Sequence, residues 1–458
     1  MLTLFGGGHR YCDGISRRSF LRVGAFSMGA VGGLSLADVM RAEAAEGKKP
    51  GHKALINIFL AGGPPHQDMW DIKTDAPSDI RGEFKPINTN VDGIQIGEVF
   101  QRIARSADKF AFIRSVVGND GGHDGYQCMS GWPRRALPSQ GGYPAIGPVA
   151  ARVLGPVHRA VPVSVGLAPP AQHNPWSENG SSGFLGAGYA PFRPNHAGGT
   201  AGGESGLDVI KLKGMTLGRL QDRRKLLQSL DATRRDLENL EPVHDRDATT
   251  TAAFDLLTSN RLADAFDLTR ESAKTRERYG TGQPFKFTYD GCPTNSEHVL
   301  IARRLIEAGC RVVSLSYGRW DSHGDNFNLV RDHGSKLDQC VTALVEDLNE
   351  RGMLNDVTIA VWGEFGRTPK INPGAGRDHW PQVSCCLLAG GGMRTGQVIG
   401  ATNNLGEYAT ERPVHVQEIV ATLYHNIGIN VENTLIDDRS GRPVRVLDKT
   451  TPLPELVG

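Results

Sequence analysis

Short apolar runs alternate with amphipathic stretches over most of the chain, and this alternation predicts an α/β fold. The run Ala54–Ala61 ends in Gly62-Gly63-Pro64-Pro65, which is typical of a buried strand that delivers a loop. Helical periods separated by short β-branched strands predict a doubly wound, mainly parallel sheet covered by helices on both faces. The predicted strands cover residues 54–61, 110–117, 161–167, 311–317, 357–362 and 383–389, and the predicted helices cover 295–308, 333–351 and 416–427.

The alternation is interrupted in the middle of the chain. Residues 170–207 are rich in Gly, Pro, Asn and Ser and show no period, which predicts a long loop. Between 215 and 279, the amphipathic stretches 217–240 and 251–279 predict a helical hairpin inserted into the α/β chain, with its charges facing solvent. We therefore expect a single domain over 45–458 that carries this insertion.

The N-terminal segment has the pattern of an export signal. Arg17 and Arg18 precede an apolar, Gly- and Ala-rich run over 23–37, and Ala42-Glu43-Ala44 resembles a cleavage site. A membrane anchor is the alternative, but a spanning helix needs about 20 apolar residues, and this run is shorter and interrupted by glycines. We expect residues 1–44 to be a twin-arginine signal peptide, and the mature protein to be periplasmic or otherwise extracytoplasmic with no stable membrane span.

Composition narrows the class of partner. The 458 residues carry 51 Lys and Arg against 50 Asp and Glu, so the formal charge of +1 gives no basic field for nucleic acid. The seven cysteines include no Cys-x-x-Cys pair, which argues against a zinc finger, a redox motif or attached heme. One or two disulfides are compatible with an exported chain, but the spacing leaves their pairing open. We expect no nucleic-acid partner, and the sequence names no protein partner.

Histidines beside carboxylates follow several of the predicted strands. Because ligand sites of such sheets lie beyond the carboxyl ends of the strands, we expect these side chains to converge. Imidazole and carboxylate are ligands of Zn²⁺, Mn²⁺ or Fe in hydrolytic centres. The set comprises His66 with Asp68, His123 with Asp124, Asp321 with His323, Glu364, and Asp378 with His379.

Simpler interpretations of these residues stay open. Asp321 and His323 also suit a buried hydrogen-bonded pair, and Glu364 also suits an ion pair with Arg367, three residues away. His123 also suits a capped helix N-terminus, and the remaining members suit polar turns. No Gly-x-Ser-x-Gly elbow supports a serine-hydrolase triad instead.

Five motifs occur in order along the chain and, as a set, resemble a known bacterial group. They are Ser-Arg-Arg-x-Phe-Leu-Arg, Gly-Gly-Pro-x-His-x-Asp, Trp-Asp-x-His-x-x-Asn, Gly-Glu-Phe-Gly-Arg-Thr-Pro and Gly-Arg-Asp-His-Trp. The set resembles the exported proteins called domain of unknown function 1501, and the resemblance covers nearly all of the chain after the signal. That family is placed by fold with alkaline phosphatases and sulfatases. The resemblance therefore implies an alkaline-phosphatase-like sheet around one or two metal ions.

The resemblance and the strand-end positions together give each residue an expected role. We expect Arg367 to hold an anionic group, and His123 to act as a general acid–base or as a nucleophile. A divalent metal is expected, with zinc first and manganese, calcium or iron as alternatives. The expected ligands are His66, Asp68, Asp321, His323 and His379, with Glu364 and Asp378 as further ligands or as supports of the ligands.

Two positions depart from the superfamily's pattern. Phe365 stands where an Asp-His pair would place a histidine, so one ligand of a second metal is missing. Residues 121–125 occupy the helix start at which superfamily members carry a Ser, Thr or modified Cys nucleophile, and no hydroxyl stands there. Three hypotheses stay open: His123 replaces the nucleophile, a metal-bound water attacks, or the protein hydrolyses no ester.

We therefore expect an exported, metal-dependent, hydrolase-like protein. Its expected substrate is a phosphate or sulfate ester, carried by a small molecule or by a polysaccharide. The alternative is a non-catalytic envelope or glycan-binding protein on a degenerate hydrolase fold.

Overall fold

The computed structural model describes residues 52–168, 174–177, 179–194, 222, 259–280 and 294–457. The predicted signal over 1–44, part of the predicted loop 170–207 and almost all of the predicted helix 217–240 lie outside these residues. The domain boundaries, the signal and the complete hairpin therefore stay predictions.

The strands and helices of the described residues follow the predicted alternation. The strands are β1 (Ala54–Ala61), β2 (Pro86–Asn88), β3 (Gln95–Gly97), β4 (Phe110–Val117), β5 (Ser164–Leu167), β6 (Val312–Arg319), β7 (Val357–Trp362), β8 (Gly366–Arg367), β9 (His379–Trp380), β10 (Ser384–Gly390), β11 (Gln397–Ile399), β12 (Ala401–Thr402), β13 (Ala409–Glu411), β14 (Val414–His415), β15 (Leu435–Asp437) and β16 (Pro443–Arg445). The helices are α1 (Ser78–Arg81), α2 (Gln101–Arg105), α3 (Tyr126–Ser130), α4 (Ile146–Val153), α5 (Asn174–Ser177), α6 (Arg261–Phe266), α7 (Ala273–Tyr279), α8 (Ser296–Ala308), α9 (Asn326–Glu350) and α10 (Val416–Asn426).

An eight-stranded sheet forms the centre, with the order β11-β4-β10-β7-β1-β6-β5 and with β14 also paired to β4. In its register, Ile56 of β1 lies beside Val313 of β6 and Ile359 of β7. β10 is antiparallel to both of its neighbours, and the other pairs in this sheet are parallel. The predicted mainly parallel sheet of an α/β fold is confirmed.

Two hydrophobic clusters cover the two faces of the sheet. Ile56 and Ile58 of β1 belong to one cluster, together with buried residues of α8 and α9. Leu55 and Phe59 belong to the other, together with buried residues of α4 and α10. Because successive side chains of a strand point to opposite faces, this division shows that β1 is buried on both sides. The helices accordingly lie on both faces, as the doubly wound prediction required.

The single helix predicted over 251–279 is wrong in its described part. α6 ends at Phe266, a 3-10 turn follows at Leu268–Arg270, and α7 starts again after Ser272. The Asp267 carboxylate accepts a hydrogen bond from the Thr269 N–H, and the Ser272 hydroxyl caps α7. Short polar side chains that bond nearby backbone groups start new helices instead of continuing old ones.

α9 begins at Asn326, seven residues before the predicted start. Phe327, Leu329 and Val330 already present an apolar face to the interior, so the helical period extends further than the sequence interpretation allowed. Asn326, at the start of this helix, donates a hydrogen bond to the carboxylate of Asp68. The loop after β6 is correspondingly short.

The described part of the chain contains neither a disulfide nor a helix that could span a membrane. Its cysteines are all buried and unpaired: Cys128, Cys310, Cys340, Cys385 and Cys386. None of its helices combines the length and the apolar character needed to cross a bilayer.

Candidate metal centre

The carboxyl ends of β1, β4, β6 and β7 lie at one edge of the sheet, because these strands run in the same direction. β10 runs the opposite way, so the residues just before it reach the same edge. Ligand sites of open α/β sheets lie at this edge. The residues delivered there are Gly62 and Gly63 after β1, His123 after β4, Asp321 and His323 after β6, Glu364 after β7, and His379 before β10.

Four of these side chains, His123, Asp321, His323 and His379, form a group that we call the His–Asp cluster. One donor atom from each lies within 4.8 Å of the others. The Nε2 atoms of His323 and His379 are 3.0 Å apart. Asp321 Oδ1 lies 3.1 Å from His323 Nε2 and 3.3 Å from His379 Nε2. His123 Nε2 lies 3.5 Å from Asp321 Oδ2.

These spacings and donor types fit a divalent transition metal. Donors about 2.0–2.1 Å from a tetrahedral zinc ion lie roughly 3.3 Å from one another. The four separations given above run from 3.0 to 3.5 Å. Three imidazoles and one carboxylate suit zinc or iron better than calcium, which prefers oxygen ligands throughout.

His123 lies between two carboxylates. Its Nδ1 is 3.4 Å from Glu364 Oε1, while its Nε2 faces Asp321. Partial burial lowers the pKa of His123, but the hydrogen bonds to Asp321 and Glu364 outweigh it and raise that pKa to about 9. Sequence reasoning expected a nucleophile or general acid–base at this position. The structure places His123 among the candidate ligands, and its role as nucleophile or general acid–base stays a prediction.

The electrostatic centre of the cluster is Asp321. Desolvation raises the pKa of this carboxyl group, but hydrogen bonds from His123 and His379 and the charge of Arg367 hold the pKa well below its usual range. Asp321 therefore stays anionic at physiological pH. Its negative charge is available to a cation at the cluster, although it already faces the guanidinium group of Arg367.

The carboxylate of Glu364 is buried, with 1% of its side chain exposed. The backbone N–H groups of Gly62 and Gly63 donate to it at 2.8 to 3.1 Å, and the Trp176 indole N–H donates at 3.2 Å. The ion pair with Arg367 that the spacing allowed is not among the salt bridges of the described residues. Glu364 therefore contacts the β1 turn and His123 instead.

Arg367 is fully buried, and all three nitrogens of its guanidinium group donate to protein atoms. Its Nε donates to the Gly63 carbonyl at 3.0 Å, its Nη1 donates to the Arg377 carbonyl at 3.0 Å, and its Nη2 donates to the Gly62 carbonyl and to Asp321. Arg367 was expected to hold the anionic group of a substrate. Its guanidinium group is enclosed by protein atoms, so this position does not fit that role. Arg367 instead fixes Asp321 and the β1 turn.

Asp378 lies at the solvent-facing side of the site, with 52% of its side chain exposed. Its Oδ1 is 2.6 Å from Nδ1 of His323, which is itself 46% exposed. The hydrogen bond to His323 lowers the pKa of Asp378. Asp378 contacts the cluster through His323 and is not one of its four donors.

His66 and Asp68, both expected as ligands, lie outside the His–Asp cluster. The Asp68 carboxylate pairs with the Arg377 guanidinium at 2.7 and 3.1 Å and accepts a hydrogen bond from Asn326 at 2.8 Å. His66 donates through Nε2 to the Gly406 carbonyl at 2.9 Å, and burial lowers its pKa to about 4. Sequence reasoning missed Arg377 and Asn326 as partners of Asp68, although both stand inside the quoted motifs.

Two glycines let the β1 turn pass directly beneath the cluster. Gly62 and Gly63 have φ of +99° and +75°. A Cβ on Gly62 would lie 2.6 Å from the Asp321 backbone nitrogen, and one on Gly63 would lie 2.5 Å from the Phe365 ring. That ring packs against His379, with ring centroids 4.5 Å apart. Phe365, which replaces an expected ligand, is therefore an apolar wall of the site.

These observations define an α/β protein with a candidate transition-metal centre at the carboxyl edge of a mainly parallel sheet. The chain belongs to the family described as protein of unknown function (DUF1501), whose model matches residues 52–457. The resemblance inferred from the five motifs is thereby confirmed. No curated protein matches the chain.

Several solved structures are similar to this chain at low identity. The Ps i-CgsB protein in complex with k-i-k-neocarrahexaose is 12% identical, over 83% of this chain and 73% of that one, with a TM-score of 0.33. The PsFucS1 sulfatase from Pseudoalteromonas sp. is 11% identical, over 86% and 71%, with a TM-score of 0.32. A phosphonate monoester hydrolase from Silicibacter pomeroyi is 10% identical, over 84% and 75%, with a TM-score of 0.34. Likenesses at these TM-scores carry no argument about the activity of this chain.

Proposed function

We propose that this protein binds one divalent transition metal in the His–Asp cluster and is a metal-dependent, hydrolase-like protein acting on phosphate or sulfate esters. The observation that carries the proposal is the meeting of three imidazoles and one carboxylate from three separate segments, with one donor atom from each residue within 4.8 Å of the others. Zinc is the metal that this donor set favours, with manganese or iron as alternatives.

The charge and the exposure of the side chains in the cluster suit binding of a cation and access of an ester. When bound, a divalent cation polarises an ester oxygen and lowers the pKa of its water towards neutrality. Asp321 supplies the fixed negative charge and is held by Arg367. His323 and His379 are 46% and 28% exposed, so one side of the cluster faces solvent and is open to an ester on a small molecule or a polysaccharide.

Metal analysis of the purified full chain tests the metal site. We expect about one zinc per chain in the wild type and none in His323→Ala, because that substitution removes one of four ligands. His425→Ala is the matched control, since His425 is an exposed histidine of α10 outside the cluster. Equally metal-free wild-type and His323→Ala proteins would overturn the proposal.

A screen of aryl phosphate and aryl sulfate esters with Zn²⁺, Mn²⁺ or Ca²⁺ tests the activity. Turnover that a chelator abolishes and that His323→Ala lacks supports the hydrolase. Turnover that survives both changes would place the chemistry elsewhere in the molecule.

One observation favours a second function, a non-catalytic envelope or glycan-binding protein. Four protein donors fill the four positions of a tetrahedral zinc ion, as in structural zinc sites, whereas catalytic zinc sites keep one position for water. Tight zinc binding without turnover of any ester, combined with binding of a glycan, would favour this function over the hydrolase.

We also propose that the chain is exported to the periplasm or another extracytoplasmic space by the twin-arginine route. The support is the Arg17-Arg18 pair before a short, glycine-interrupted apolar run. Replacing both arginines by lysine is expected to retain the protein in the cytoplasm, as measured by cell fractionation. Unchanged export of the double variant would contradict this route.

A further inference from the structure

We propose that Glu364 and Asp378 are positioning residues that hold His123 and His323 with the proton on Nδ1, so that both rings present Nε2 to the cation. The inference rests on the metal site proposed above. It assigns a role to two carboxylates that lie outside the four donors of the His–Asp cluster.

The same arrangement occurs at two histidines from different loops. His123 Nδ1 faces Glu364 at 3.4 Å, and His323 Nδ1 faces Asp378 at 2.6 Å. The Nε2 atom of each ring points the other way, to Asp321 at 3.5 Å from His123 and at 3.1 Å from His323. A ligating histidine that donates its second N–H to a carboxylate is fixed in orientation and becomes a more basic ligand.

The contacts of Glu364 argue against direct ligation by this residue. Both of its oxygens accept hydrogen bonds from the Gly62 and Gly63 N–H groups, and Oε1 also accepts from Trp176. Turning the carboxylate towards a cation would break these bonds inside the protein, where unsatisfied N–H groups are costly. Glu364 is therefore held in place before any metal arrives.

The two carboxylates differ in burial, and this difference predicts unequal effects. Glu364 is buried, so its attraction for the His123 N–H acts in a low local dielectric. Asp378 is 52% exposed, so water and salt screen its attraction for His323. Loss of Glu364 should therefore weaken metal binding more than loss of Asp378.

Titration of Zn²⁺ against a competing chelator measures this inequality in the full chain. We expect Glu364→Ala to raise the Kd for zinc about 10- to 100-fold. We expect Asp378→Asn to raise it only about 2- to 5-fold. Glu364→Gln, which keeps the shape and one acceptor oxygen, should fall between Glu364→Ala and the wild type.

Asp338→Ala is the matched control for a lost buried carboxylate. Asp338 accepts hydrogen bonds from the backbone N–H groups of Arg102 and Ile103, outside the site. We expect its Kd for zinc to equal that of the wild type. A rise as large as that of Glu364→Ala would show that general destabilisation explains the effect, and the inference would be overturned.

The absorption spectrum of the Co²⁺-substituted protein separates a positioning residue from a ligand. We expect Glu364→Ala and Asp378→Asn to keep the band shape of the wild type at saturating Co²⁺, because the four ligands remain. A change of coordination in Glu364→Ala like that in His323→Ala would make Glu364 a ligand and refute its positioning role.

The outcomes distinguish this inference from the proposed function. A wild-type protein that binds no zinc overturns the proposed metal site itself. A wild type that binds zinc, with unchanged Kd in Glu364→Gln and Asp378→Asn, leaves the metal site standing and refutes the positioning roles. Asp378 is exposed, so the second variant gives a readout even where substitution of Glu364 prevents folding.

Discussion

Asparagine in place of Asp68 tests whether this carboxylate is structural, as its contacts indicate, or a metal ligand, as its motif suggested. Asp68 and Arg377 are both fully buried, and their side chains form two hydrogen bonds of 2.7 and 3.1 Å. Arg377 directly precedes Asp378 and His379. The pair therefore anchors the segment that brings His379 to the cluster, while Asp68 itself stays away from it.

The expected cost of Asp68→Asn follows from burial. Removing one partner of a buried ion pair costs about 3–5 kcal/mol, because the other charge is left uncompensated. Asparagine keeps the shape and one acceptor oxygen, so we expect the lower end, about 3 kcal/mol. With a slope of about 3 kcal/mol per molar urea, the unfolding midpoint should fall by about 1 M. The double variant Asp68→Leu, Arg377→Met removes both charges but leaves Asn326 and three backbone carbonyl groups without these partners, so it should recover only part of this loss.

Urea unfolding of the chelator-treated protein and zinc analysis of the untreated protein are the two assays. Asp68→Asn should unfold at lower urea and still bind about one zinc per chain. His323→Ala should show the opposite pattern, with wild-type stability in the metal-free state and no zinc. An Asp68→Asn protein that has lost zinc at an unchanged metal-free midpoint would refute this reasoning and make Asp68 a ligand.

Two further predictions concern buried polar groups outside the site. Burial lowers the pKa of His298 on α8 to about 4, whereas an unfolded histidine titrates near 6.5. The stability from the neutral ring is therefore present above pH 6.5 and is lost by about 3 kcal/mol as the pH falls to 4. His298→Leu should flatten the urea midpoint over this pH range, and an unaltered profile would contradict the prediction. Asp338→Ala removes the acceptor of two N–H groups at the start of α2 and should lower the unfolding free energy by about 1–2 kcal/mol. An unchanged urea midpoint would show that these bonds add nothing.

The sheet was readable from the sequence because its strands are buried on both faces. The apolar runs at 54–61 and 357–362 coincide with β1 and β7. Every residue of these strands is buried, so their sequences lack the alternation of apolar and polar residues that a solvent-exposed face would require. Strand polarity then placed Asp321, His323 and His379 at a common edge without knowledge of any contact. Local pattern and topology together thus predicted most of the cluster.

The sequence could not predict which carboxylate forms an ion pair and which joins the candidate metal centre, because this depends on partners distant in the sequence. His66-x-Asp68 and Asp321-x-His323 place the same two residue types two positions apart after neighbouring strands. Asp68 meets Arg377, 309 residues further along the chain, and becomes half of an interior ion pair. Asp321 meets imidazoles and stays available to a cation. Tertiary contacts therefore decide which of these two motifs contributes to the candidate metal centre.

The Gly-Glu-Phe-Gly-Arg motif illustrates how two opposite charges can serve one site without pairing. The carbonyl groups of Gly62–Gly63 accept hydrogen bonds from Arg367, while the amide groups of the same turn donate to Glu364. The turn therefore lies between the two charges and keeps them apart. Arg367 is then directed at Asp321, and Glu364 is directed at His123. Because one turn bonds both charged groups, it links the position of Asp321 to that of the cluster's most buried imidazole, His123.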